Sequence, residues 1–299
     1  MSELAHPSTC VPVGTPATDA LPLGPDSLVW KYFGDRRIAL IGPRPAVLQN
    51  MLAGLGQGVK DHSVFFADTS ARIKRSLPPI YRTVYGSEDD NAGPQVRQFH
   101  TDIKGDIPED FATPENKGRY HALDPDTYFW AHATFFDQAL YFTDTFVKKL
   151  SRAEKEQMYR ESKTWYRRYG VSDRPMPADY VAFEKYWDRM INEVLVAHPT
   201  AKYGVGYVTK GFPRPKGVSP LAWKAIVPVF NPLAAFLTTG GMPPSTREIL
   251  GLPWSDRKER NYQRFAALCR ARAVNWLWER VPMRLRYVPY AREGFARYA

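Results

Sequence analysis

Two histidines in strongly apolar, aromatic surroundings carry most of the chemistry this sequence offers. His100 stands in V-R-Q-F-H-T-D-I-K-G (residues 96–105), and His132 in D-P-D-T-Y-F-W-A-H-A-T-F-F (residues 124–136). Imidazole is costly to bury without a partner, and a metal is one of the few partners that satisfies two such rings together. Residues i, i+3 and i+4 share a helix face, so one helix would bring Arg97, His100, Thr101 and Lys104 into a polar cluster beside Val96, Phe99 and Ile103. On a second helix Phe129, His132, Phe135 and Phe136 would form an aromatic wall. One histidine on such a wall is more often a satisfied core residue than a ligand. Two of them, with an arginine one turn from the first, strengthen the case for ligation, but spacing alone leaves the core reading ahead. The expected arrangement is two helices enclosing a flat iron cofactor.

The elements that must position these residues read as helices throughout. Asp26 can cap S-L-V-W-K-Y-F-G, and Pro45 can open A-V-L-Q-N-M-L-A-G-L. A helix over residues 68–85 meets Pro78-Pro79, which should kink or split it. The first histidine helix starts at Asn91 or Pro94 and ends at Gly105, followed by a polar loop. Asp124-Pro125 is a strong start for the second, running to about Leu150. Ser151 and Glu154 form a capping box for another helix reaching Gly170. A further helical period follows Asp179, then an apolar segment from Leu221 to Thr239 and a long basic helix over residues 255–281. No hairpin signal and no internal repeat is evident. The reading is all-α: a disordered tail over residues 1–25 and one helical domain over 26–299.

Composition bounds the alternatives. The chain has 299 residues, 44% hydrophobic and 14% aromatic, enough for a sizeable core. Its net charge of +10, with eleven Lys/Arg against four Asp/Glu after Ser255, suits an acidic partner. Helix-turn-helix, zinc-finger and RNA-binding signatures are missing, so an anionic membrane surface is preferred to nucleic acid. Two cysteines, Cys10 and Cys269, allow no disulfide framework or cysteine metal cluster, which fits a reducing compartment. The N-terminal residues lack a secretory pattern, and no uninterrupted apolar run reaches the ~18 residues of a spanning helix. The expected setting is cytoplasmic, peripheral to a membrane. Zinc-protease, serine-hydrolase and P-loop motifs do not occur.

R-x-x-H-T-x-x-x-G followed by Y-H-A-L-D-P-D-T-Y-F-W-A-H-A-T-F resembles the MpaB-type oxygenase family, which includes the latex-clearing protein (rubber oxygenase). The resemblance runs from about Ser27 to His198, and its A-x-D-P-x-x-x-x-W-x-H-A signature is far more specific than a lone glycine motif. It implies a globin-related helical core around one haem b, with His132 as proximal iron ligand. Arg97 and Thr101 would lie beside the haem and its distal pocket, and Phe129 and Phe136 against the cofactor. Rubber oxygenase has a lysine as distal ligand where this chain has His100. The implied reaction is cleavage by dioxygen of a carbon–carbon double bond in an isoprenoid chain. The family's acidic base has no clear counterpart, since Glu88, Asp89 and Asp90 read as exposed loop residues. A smaller unsaturated, lipid-like substrate is therefore expected rather than polyisoprene. Arg72, Arg75 and Arg82 are within plausible reach of haem propionates, although basic surface positions are their default. Two other readings stand beside this one: a bis-histidine haem protein for electron transfer or haem handling, and a cofactor-free helical protein bound to a membrane surface.

Overall fold

The computed structural model describes residues 19–113, 116–214 and 217–299. The first eighteen residues of the expected tail lie outside that set. From Asp19 the chain is held, contrary to a tail reaching residue 25. The Asp19 carboxylate pairs with Lys163 and Arg167, Leu21 N–H donates to the Arg160 carbonyl at 3.1 Å, and Leu23 is buried.

Capping residues set many of the helix starts. In order come α1 (Leu28–Phe33), α2 (Arg44–Asn50), α3 (Ala53–His62), α4 (Thr69–Tyr85) and α5 (Gly93–Gln98). A short antiparallel ribbon, β1 (Lys104–Asp106) and β2 (Arg119–His121), precedes α6 (Pro125–Phe142). Asp124 caps α6 by accepting from Thr127 N–H at 3.0 Å, and a π-helical turn, Thr143–Val147, extends it. The Ser151–Glu154 capping box forms as expected and opens α7 (Arg152–Arg167). Then follow α8 (Tyr180–Arg189), α9 (Pro199–Thr209), α10 (Pro220–Gly241), α11 (Pro244–Ile249), α12 (Asp256–Arg270), α13 (Arg272–Arg280), α14 (Met283–Arg286) and α15 (Pro289–Ala296). The chain is a mainly helical single domain.

Helix α6 is the axis of the core, buried on nearly every side. Trp130 donates its indole N–H to the Leu48 carbonyl at 3.1 Å, fixing α6 against α2. The Gln49 amide bridges Ala131 and Thr134, and Gln138 reaches the Ile41 carbonyl at 2.9 Å. On the far side Phe129 and Phe136 pack against Tyr166, Tyr186, Tyr159 and Phe183 of α7 and α8. Helix α1 has no capping side chain of its own. Instead the Glu161 carboxylate on α7 accepts from Leu28 and Val29 N–H at 3.1 and 2.7 Å.

Four local expectations are corrected. Helix α5 ends at Gln98, so His100 and Thr101 lie in a turn and Lys104 begins a strand. The polar loop after it contains the ribbon, an exception to the absence of paired strands. Pro78 and Pro79 do not split α4, which runs unbroken through both. The long basic helix is two helices, parted at Ala271. There Asn275 draws on the carbonyls of Val147 and Cys269, and Arg270 donates to Thr145, so a tertiary contact turns the chain without Gly or Pro.

Candidate cofactor site

A cavity of about 540 Å³ lies between α3, α4, the turn after α5, β2 and α6, within the range that small ligands and cofactors occupy. From α6 it is lined by Tyr128, Ala131, His132 and Phe135, the i, i+3, i+4, i+7 stripe of one helix face. From the turn after α5 it is lined by His100 and Phe99. The cavity therefore brings His100 and His132 together, although only one of them is on a helix.

His132 is buried against the rings of Trp165 (4.8 Å) and Tyr166 (5.1 Å). Burial pushes its pKa down to about 3, against a weaker opposing pull from the Ser162 backbone carbonyl. The ring is neutral near pH 7 and able to give a lone pair. Its Nδ1 has no hydrogen bond of good geometry; the Ser162 carbonyl is the group nearest to serving it. His100 is anchored differently, with Nδ1 2.7 Å from the Val96 carbonyl. A carbonyl only accepts, so Nδ1 carries the proton and Nε2 is left with the lone pair. Burial lowers the pKa of His100 too, opposed by the Val96 bond and aided by the Arg72 charge.

Three further groups shape the cavity. The Tyr128 hydroxyl is buried without a hydrogen-bond partner among the described residues, and burial raises its pKa, so it stays a protonated donor. Its ring meets His100 edge-on at 5.7 Å. Arg72, half-buried and bonded through Nε to the Ser63 hydroxyl at 2.8 Å, and Arg75, exposed, supply two cations to the lining. Among the described residues no Asp or Glu lines the cavity, and Glu88, Asp89 and Asp90 are exposed elsewhere. Among the described residues no three His, Cys, Asp or Glu gather as a metal-binding group. The donor set is two neutral imidazoles, which suits a planar iron cofactor that brings its own equatorial ligands.

The other named residues fall outside the lining. Arg97 and Thr101 are exposed; the Arg97 guanidinium reaches toward Gly170 and its charge is felt at Tyr128. Phe129 and Phe136 pack against α7 and α8 on the flank of α6 beside the cavity, with the Phe129 ring 6.0 Å from that of His132, and Phe135 takes the cavity position. Arg82 lies over Tyr290. His198 is fully buried as the cap of α9, accepting from Thr200 N–H, and His121 accepts from Leu123 N–H. Tyr128 is the lining residue the sequence reading did not single out, although it was legible at i−4 from His132. Arg72 and Arg75 were already named there for the propionates, and the packing of α4 brings both into the lining while leaving Arg82 outside it.

Comparison with known proteins identifies the family. The family described as "ER-bound oxygenase mpaB/B'/Rubber oxygenase, catalytic domain" matches residues 30–271. An uncharacterised protein of Mycobacterium bovis and one of Mycobacterium tuberculosis are each 24% identical over 226 residues, covering 73% of this chain and 81% of theirs. No solved structure matches significantly. The match spans α6, both histidines and every wall of the cavity, and the chain belongs to the mpaB/rubber oxygenase catalytic-domain family of oxygenases.

Proposed function

We propose that this oxygenase holds haem b between His132 and His100 and oxidises or cleaves a carbon–carbon double bond of an isoprenoid or other unsaturated, lipid-like substrate. It would meet that substrate at an anionic membrane surface on the cytoplasmic side. The observation carrying the reading is that two neutral histidines, His132 buried and His100 half-buried, line one largely apolar cavity edged by Arg72 and Arg75. Bound there, haem supplies the activation of dioxygen. In a cleavage both oxygen atoms end as the two new carbonyl groups, so no external reductant is required.

The chain's own residues then have separate tasks. His132 would hold the iron from α6, its ring packed against Trp165 and Tyr166. His100 would offer Nε2 from the turn after α5. Arg72 and Arg75 suit the two propionates, because charge-assisted pairs at a cavity edge combine attraction with hydrogen bonding. Tyr128 holds a proton at its hydroxyl, available to an oxygen atom in a cavity whose described lining includes no carboxylate. Phe135, Phe99 and Ile80 exclude water and accept an apolar chain.

The test is an absorption spectrum of the purified protein supplied with haem, oxidised and reduced, with and without carbon monoxide, followed by product analysis with unsaturated lipids. A Soret band that needs His132, with consumption of dioxygen and an isoprenoid, supports the reading. No haem uptake sinks it and leaves a helical protein without this cofactor. One observation favours a second reading: the Nδ1 anchor of His100 holds the ring in place, as a permanent sixth ligand would require. A reduced protein that never binds carbon monoxide would point to electron transfer or haem handling instead.

A further inference from the structure

Helix α10 leaves the body of the protein with its apolar side chains uncovered. Leu221 is 80% exposed and Val229 70%, and Ile226, Phe230 and Leu233 are also exposed. Isolated exposed apolar residues need no explanation, but a continuous patch marks a contact. The end of α10 is different: Leu237, Gly240 and Gly241 are buried, and a Cβ on Gly240 would meet the Tyr262 ring at 2.3 Å. The protruding half is braced in place. Asn231 accepts from Phe212 N–H at 3.1 Å, and the Phe230 ring lies 5.8 Å from both Phe212 and Trp223.

The surrounding charge identifies the occupant. Between Val194 and Arg247 the sequence has no Asp or Glu, but six Lys/Arg: Lys202, Lys210, Arg214, Lys216, Lys224 and Arg247. Lys202 near the start of α9, Lys210 at its end, Arg214 beyond it and Lys224 on α10 are all exposed, and α9 packs against α10. A symmetric contact with a second copy would bring this patch against itself and set like charges together. An anionic headgroup layer instead pairs with the basic rim while its acyl region takes the apolar side chains.

Length decides how α10 would sit. The whole helix has 22 residues and enough apolar character to span a bilayer. Only its first half, residues 220–233, is free of the core, and about 14 residues at 1.5 Å each give roughly 21 Å. That falls short of the ~30 Å hydrocarbon layer, so the helix enters the interface without crossing.

We propose that residues 220–233 of α10, with Lys202, Lys210, Arg214 and Lys224, dock the protein on an anionic lipid membrane. This deepens the membrane-surface part of the proposed function and does not depend on haem. The test is co-sedimentation of the full chain, with and without added haem, with phosphatidylcholine vesicles that contain or lack phosphatidylglycerol. Binding is expected with the anionic vesicles and should weaken with salt. The double variant Ile226→Asp/Val229→Asp should bind at least about tenfold more weakly with an unchanged melting temperature, since both positions are exposed. Lys202→Gln/Lys210→Gln/Arg214→Gln should remove the preference for phosphatidylglycerol. Equal binding by the double variant, or no binding to anionic vesicles, overturns the proposal. So does a dimer that this variant dissociates, because a second copy would then cover the helix. Vesicle binding without haem uptake would sink only the cofactor reading.

Discussion

The His100 ring donates from Nδ1 to the Val96 carbonyl, 2.7 Å away and four residues back along the chain. This bond fixes the tautomer and leaves Nε2 as the nitrogen able to bind iron, the outer-sphere arrangement typical of histidine ligands. Replacing His100 by Ala should keep the Soret band while making the haem five-coordinate. Carbon monoxide affinity should then rise by about tenfold or more, because an internal competitor is removed. Titration of the reduced protein with carbon monoxide measures it.

His132 should be indispensable. His132→Gly is expected to lose the Soret band and to recover it in excess imidazole, which can enter the space vacated beside Trp165. Recovery distinguishes a missing ligand from a collapsed fold, and unchanged circular dichroism is the accompanying check.

The same histidine ties stability to pH. Its folded pKa of about 3, and about 4 for His198, lie below the ordinary value of 6.5. Above pH ~6.5 both states hold these rings neutral, and stability is at its full value. As pH falls, the unfolded chain takes up protons that the folded chain resists, so stability is lost progressively toward pH 3–4. Melting of the haem-free protein should fall through this window, and His132→Phe should flatten that fall.

Tyr128 presents a hydroxyl that nothing among the described residues satisfies. Tyr128→Phe should leave the haem-free protein as stable, or about 1 kcal/mol more so, since it removes an unpaired buried donor. Turnover of the haem-loaded enzyme should fall, because the proton held at this position is gone. Calorimetry and oxygen uptake together separate the two effects.

Arg72 and Arg75 carry the charge opposite the expected propionates. Arg72→Gln/Arg75→Gln should speed transfer of haem to excess apomyoglobin while leaving the Soret position unchanged, as the two histidines proposed to hold the iron are untouched.

On the opposite side of α6 the Arg44 guanidinium and Asp137 carboxylate form a buried ion pair. Burial raises the pKa of Asp137, and Arg44 works against it. Asp137→Ala would strand Arg44 between Tyr141 and Trp187, costing about 3–5 kcal/mol. Arg44→Met/Asp137→Leu should recover much of that loss in urea unfolding.

Sequence alone determined what depends on neighbours along the chain. The cap at Asp124, the Ser151–Glu154 box, the all-α character and the tight W-x-H-A context of His132 are local, because a cap or a helical period needs only adjacent residues. Even the cavity stripe through Tyr128, His132 and Phe135 follows from 3.6 residues per turn, once it is known which face is open. Which face that is came from packing: α7 and α8 claim Phe129 and Phe136, leaving Phe135 to the cavity. Tertiary contact likewise ended α5 before His100, divided the basic helix at Ala271, placed Arg72 and Arg75 at the site and left Arg97 outside it. These choices depend on surfaces brought together from distant segments, such as Glu161 capping α1 across the fold, and no spacing along the chain encodes that meeting.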